Sequence, residues 1–220
     1  MKSTRLRFNP RAFTLLEMLV VITIISLLAA LTMGGYTYAM NSSKRRITTG
    51  TFEAIKLSLE RYNSEFGEYP EASGDAQMVE ILPGKSYDTS GAACLYQALT
   101  GDGFDQIKGA SASATSDESS AQSDGKTEGT AEIRKMMLVE VPRTIWTVKN
   151  SRYIIIDGFG RPFQYIKAAT PETVGETPEA TTINSTYDLW SYSEDEVNTT
   201  LKSIDTLDKA QASVKWVKNW

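Results

Sequence analysis

The stretch that decides the fold is Phe13-Thr14-Leu15-Leu16-Glu17-Met18-Leu19-Val20-Val21-Ile22-Thr23-Ile24-Ile25-Ser26-Leu27-Leu28-Ala29-Ala30-Leu31-Thr32-Met33. Glu17 is its only formal charge, and no other appears before Lys44. A bilayer core of ~30 Å is crossed by a helix of ~20 apolar residues, so this run predicts a membrane span. A carboxylate at the bilayer centre costs roughly 2.5–3.5 kcal/mol, less near an end, which makes Glu17 a functional-site candidate in need of a partner. The four cations ahead of it, Lys2, Arg5, Arg7 and Arg11, are a basic flank of the kind that stays cytoplasmic. The bulk of the chain is therefore expected on the far side of the membrane.

A short basic leader, a small residue, then Phe-Thr-Leu-Leu-Glu and an apolar helix resemble the prepilin leader of type IV pilins and type II secretion pseudopilins. The resemblance implies that a membrane-embedded prepilin peptidase cuts between Ala12 and Phe13 and methylates the new Phe13 amine. Most members carry glycine where this chain has Ala12. Cutting ahead of the apolar run leaves the run attached and creates an α-amino cation, which supplies a partner for Glu17. In a filament the Glu17 carboxylate of one subunit would pair with the amine of its neighbour, and breaking a buried pair costs roughly 3–5 kcal/mol. The alternatives are a secretory signal cut near Ala29-Ala30 or an uncleaved anchor.

Working outward, a leader (1–12) and an apolar helix (13–40) leave residues 41–220, enough for one domain with its own core. Four of the 23 basic residues lie in the leader, so the processed chain carries 19 against 27 acids, net −8. That balance argues against a nucleic-acid partner, which calls for a basic patch. The single cysteine, Cys94, rules out an internal disulfide, and its small neighbours Ala92 and Ala93 predict a buried thiol. There is no histidine, which removes catalytic triads and zinc sites built on that residue.

Gly34-Gly35 marks a place where the helix is expected to loosen or kink. Beyond it, Phe52, Ile55, Leu59, Tyr62 and Phe66 form one apolar stripe at helical spacing. The helix should stop near Phe66, with Gly67 just past its end and Pro70 beyond. The stripe is expected to pack on a sheet of the same chain. Residues 92–100 read as a short helix, and 109–130, rich in Ser, Ala, Gly and acids, as a disordered insertion. Strands are predicted at 136–141, 145–148, 153–156 and 163–166, the last two joined by Asp157-Gly158-Phe159-Gly160-Arg161-Pro162 as a hairpin. The fold class is α+β: a long N-terminal helix, membrane-spanning in its first half and amphipathic in its second, packed on a small antiparallel sheet.

Three further stretches resemble the G-type major pseudopilins of type II secretion. They are Phe66-Gly67-Glu68-Tyr69-Pro70 after Tyr62, the Asp157–Tyr165 segment with Gly158 where proline is usual, and Tyr187-Asp188-Leu189-Trp190-Ser191 with the Asn219-Trp220 terminus. The resemblance implies a calcium site after the last strand, and a hard cation of that kind wants six to eight oxygen ligands. Leu189 through its carbonyl, Ser191, Asp195 and Asp205 stand at or near the matching place, with Glu194 and Glu196 close by. The family's glycine-rich loop is missing, and 193–197 reads as a serine-capped helix start with acids in its first turn. Without calcium, Trp190, Trp216 and Trp220 are left to hold the tail by packing on the sheet.

What the resemblance implies overall is a non-enzymatic structural subunit of a pseudopilus. It would sit in the inner membrane with its domain in the periplasm. Its partners would be copies of itself in a helical filament, other pseudopilins, the prepilin peptidase, and an inner-membrane assembly platform with its ATPase. A surface-pilus pilin or minor pseudopilin is the near alternative, and a membrane-anchored binding or enzymatic domain the distant one.

Overall fold

The computed structural model describes residues 14–73, 76–100, 107, 144–169 and 180–220. Ala12, Phe13, the 109–130 segment and the 136–141 strand lie outside the described residues. The chain divides into two compact units, Met1–Ser42 and Ser43–Trp220. Helix α1 is assigned from Leu15 to Phe66 and is helical at Gly34-Gly35, so the expected break there is not seen. A glycine costs a helix interior only about 1 kcal/mol, which the long flanking turns absorb. At the other end Gly67 takes φ +79° and its amide donates to the Asn63 carbonyl at 2.8 Å, the left-handed stop expected from the sequence.

In the second unit the stripe does what its period dictates. Phe52, Ile55, Leu59 and Tyr62 are buried in the main core, with Phe66 packed at its edge. Across from them lie Cys94, Leu95 and Leu99 of helix α2 (Ser90–Thr100) and Phe163, Tyr165, Tyr187 and Leu189 from the sheet region. The stripe thus meets a second helix as well as strands.

The described strands form three antiparallel sheets. β1 (Met78–Leu82) pairs with β2 (Lys85–Asp88) around Pro83-Gly84, where Gly84 at φ +72° fits the third position of a type II turn. β3 (Trp146–Lys149) pairs with β4 (Arg152–Ile155) through Asn150 and Ser151, both at positive φ, the geometry of a type I′ hairpin loop. β5 (Gln164–Lys167), β6 (Tyr187–Ser191) and β7 (Val217–Lys218) make the third sheet, in that order.

The hairpin expected between 153–156 and 163–166 is present only at its turn end, where the Asp157 amide donates to the Arg161 carbonyl at 2.7 Å and the Phe163 amide to the Ile155 carbonyl at 3.1 Å. β4 takes β3 as its partner and β5 takes β6, and the link between the two sheets is one bridge, Ile156 to Pro162. The intervening turn is instead folded around the Asp157 carboxylate, whose Oδ1 accepts from the amides of Phe159 at 2.8 Å and Arg161 at 2.9 Å.

β6 is buried at all five positions because both of its faces are covered. Leu189 points into the main core, while Trp190 joins Tyr87, Tyr192 and Trp216 in a second cluster. Trp190 stacks on Trp216 with centroids 6.3 Å apart and meets Trp220 edge-on at 5.7 Å. The tail adds β7 beyond the strand expected to be last. Asn219 extends the pairing with its side chain, accepting from the Leu189 amide at 3.0 Å and donating to the Tyr187 carbonyl at 3.1 Å.

Candidate functional site

In the first unit, helix α1 begins at Thr14-x-x-Glu17, the spacing of a capping box. The Thr14 hydroxyl accepts from the Glu17 amide at 3.2 Å, and the Thr14 carbonyl accepts from Met18 at 3.3 Å. Glu17 is therefore in the first turn, where a carboxylate is favoured by the positive end of the helix dipole. Its partner is outside the described residues if Phe13 supplies it. Thr14 is a helix cap that composition passes over, although the Thr-x-x-Glu spacing was there to find it.

The surface of this segment is uniformly apolar. From Leu15 to Met33 the large hydrophobic side chains are exposed, ranging from 42% at Val21 to 84% at Leu15. The hydroxyls among them turn inward on the helix itself: Thr23 donates to the Leu19 carbonyl at 2.7 Å, Ser26 to Ile22 at 2.7 Å, and Thr32 to Ala29 at 3.0 Å. Such back-bonding leaves little for water to solvate, the condition a helix meets in hydrocarbon. The helix is long and apolar enough to cross a membrane.

In the second unit the residues expected around a cation are placed as follows. Leu189 and Ser191 are in β6, and the chain after them turns rather than starting a helix. Ser193 is left-handed at φ 51° and its hydroxyl is buried without a partner, so it is no cap. The turning residue is Asp195, whose Oδ1 accepts from the amides of Val197 at 2.9 Å and Asn198 at 3.2 Å. Its Oδ2 accepts from the Asn198 side chain at 2.9 Å and the Trp216 indole at 3.1 Å. Burial alone would raise the Asp195 carboxyl, but the hydrogen bonds from Asn198, Val197 and Trp216 hold it below the usual range. Asp205 lies further along, its Oδ2 accepting from the Lys202 amide at 2.8 Å. Among the described residues no group of three or more acidic, histidine or cysteine side chains gathers as metal ligands would.

A polar node the sequence did not announce sits at this turn. Asp157, Arg161, Ser191 and Ser193 are all buried. The Ser191 hydroxyl donates to Asp157 Oδ2 at 2.5 Å and accepts from the Ser193 amide at 2.9 Å. The Arg161 Nη1 donates to the Ser193 carbonyl, and Nη2 lies 3.6 Å from Glu196. Burial raises the Asp157 carboxyl, against the pull of the Ser191 hydroxyl, the Arg161 and Phe159 amides and the guanidinium. The flanking acids are matched by chain cations too, Glu194 by Arg45 at 3.2 Å and Glu196 by Lys85 at 3.4 Å.

A cleft of about 850 Å³ opens beside β5 and β6. Several of the polar groups on its wall are engaged in the fold. Asp88 Oδ1 accepts from the Gln77 and Ser90 amides, and Gln164 donates to the Asp88 and Pro162 carbonyls. Tyr165 donates to the Pro70 carbonyl at 2.5 Å, and Lys167 pairs with Glu68 at 2.8 Å. Cys94 is fully buried, and that burial pushes its thiol far above the ordinary value.

Comparison with known proteins bears on the first unit. Residues 7–33 match the prokaryotic N-terminal methylation motif, the type IV pilin-like prepilin signal. No curated protein and no solved structure matches the chain. That motif is the signal type IV pilin-like proteins carry for prepilin peptidase, and with the apolar helix it fits a membrane-anchored chain. The long helix followed by small antiparallel sheets is consistent with a pilin-like architecture.

Proposed function

We propose that this chain is a structural subunit of a type II secretion pseudopilus, cut between Ala12 and Phe13, methylated at Phe13 and polymerised through its apolar helix. Copies of the chain, with other pseudopilins, would form a periplasmic filament on an inner-membrane platform driven by an ATPase. The observation that carries this reading is the lone carboxylate in an apolar helix surface, within the matched motif and at the fifth residue after the proposed cut. With the hydroxyls of that surface folded back on the helix, Glu17 is the one charged group between Leu15 and Met33 for a neighbouring amine to find.

Mechanistically, the apolar surface serves twice. It holds the subunit in the bilayer before assembly, and it packs against other copies afterwards, where close side-chain contact drives association because lipid tails are as apolar as the helix itself. The Glu17 carboxylate then sets register, because an apolar bundle alone tolerates sliding and a buried charge pair does not. The resemblance at Tyr62 to Pro70, Asp157 to Tyr165 and Tyr187 to Ser191 favours a G-type pseudopilus subunit over a surface pilin.

The test is electron microscopy of cells overexpressing the chain with its assembly platform. Thin filaments labelled by antibody to this chain support the reading. A uniformly dispersed monomer contradicts it. Glu17→Ala should abolish the filaments while leaving leader removal intact, whereas normal filaments from that variant would dismiss the charge pairing.

A further inference from the structure

The turn after β6 is where the resemblance implies a calcium ion, and the donors there do not fit one. Both oxygens of Asp195 accept hydrogen bonds from protein groups, four in all. The Ser191 oxygen is held between Asp157 and the Ser193 amide. The Ser193 carbonyl, the kind of backbone oxygen a hard cation takes, already accepts from a guanidinium. Of the two partnerless buried atoms at the node, Arg161 Nε can only donate, the wrong polarity for a metal ion, and Ser193 Oγ is a single free oxygen against the six to eight a calcium ion takes.

From this geometry we infer that Arg161 is the turn's own cation, clamping residues 191–196 so that the loop closes without a metal. Ser193 is gripped at both of its backbone groups, its amide by Ser191 and its carbonyl by Arg161. That double grip holds a non-glycine residue at φ 51°, a conformation most side chains avoid. A planar fork suits the task, since one nitrogen reaches the Ser193 carbonyl while the other faces Glu196. Asp157 completes the arrangement by anchoring the turn that carries the clamp: it binds the Arg161 amide through Oδ1 and Ser191 through Oδ2. Arg45 and Lys85 pair with the flanking acids Glu194 and Glu196, so a divalent ion would have to displace cations already in place. This inference does not depend on whether the chain forms a filament.

The test uses the full-length protein in detergent micelles. Melting temperature and limited proteolysis at 193–200 are followed with EDTA and with millimolar calcium. The wild type should behave identically in both. Arg161→Ala should be cut at 193–200 roughly tenfold faster, the scale of one lost charged hydrogen bond. Millimolar guanidinium should slow that cleavage again and calcium should not; Arg161→Lys should remain cut faster than wild type because an ammonium cannot make both contacts. Calcium protection of the wild type, or an Arg161→Ala turn as resistant as the parent, would overturn the inference. If Arg161→Ala does not fold, hydrogen exchange of the wild-type Ser193 and Val197 amides decides: equal protection with EDTA and calcium supports the clamp, and slower exchange with calcium refutes it.

Discussion

The Gly158 amide donates to the Thr48 hydroxyl at 3.0 Å, and a Cβ built on Gly158 would collide with the Lys44 carbonyl of helix α1. The turn between β4 and β5 is thus laid directly on the helix backbone. This explains why glycine stands where the resembling family has proline: proline would remove the donor and add atoms where there is no room. Gly158→Ala is expected to lower stability by about 1–3 kcal/mol, the cost of overpacking. Gly50→Ala, on the same helix with open space around it, is expected to raise stability by about 0.5–1 kcal/mol. Thermal melts of the two variants in parallel check the pair, and equal effects would contradict this packing.

Asn219 substitutes for a strand residue at the edge of β6. Asn219→Ala leaves the Leu189 amide and Tyr187 carbonyl without that partner, for an expected loss of about 1–3 kcal/mol. Asn219→Asp keeps the acceptor and loses the donor, so it should fall between. Amide exchange at Leu189 reads the effect at its source; unchanged protection in the alanine variant would remove Asn219 from the sheet.

Much of this was legible in residue spacing. Phe52, Ile55, Leu59 and Tyr62 announce a buried helix face, and Gly67 with Pro70 announces its end, because both signals are local and periodic. The β1–β2 and β3–β4 hairpins went unread, because Pro83-Gly84 and Asn150-Ser151 at their turns lie in weakly patterned stretches. The Asp157–Pro162 turn illustrates the opposite case. Its composition reads as a hairpin loop, and the contact that decides its shape is with Lys44 and Thr48, more than a hundred residues earlier. Arg161 and Ser193 are likewise 32 residues apart, so no local pattern reveals the clamp.

Thr14 and Glu17 share the first turn of α1. Replacing Thr14 by alanine removes the cap and should cost about 1 kcal/mol of helix stability. The expected sign is faster exchange of the Glu17 amide in micelles, with the amides beyond Val20 unaffected. Exchange at Glu17 as slow as in the parent would show that the hydroxyl does not cap.

Alkaline pH should unfold the second unit. Burial raises the phenols of Tyr165, Tyr187 and Tyr192 above their ordinary value, as it does the Cys94 thiol. An unfolded chain releases these protons first, near pH ~8.5 for cysteine and ~10 for tyrosine, so stability is full below the lower point and falls as pH climbs toward the folded values. Each such group steepens the fall by up to ~1.4 kcal/mol per pH unit. Tyr165→Phe should flatten the slope while lowering stability at neutral pH through the lost bond to Pro70. A melting temperature constant from about pH 9 to 11 would contradict the burial of these groups.

The claim on which the rest depends is that processing leaves the apolar helix attached and frees an amine at Phe13. Intact-mass and N-terminal analysis of the chain purified from membranes tests it most directly. The expected product begins at Phe13, carries one added methyl group and retains Leu15 to Met33. A chain still beginning at Met1, or one beginning beyond residue 30, would contradict it.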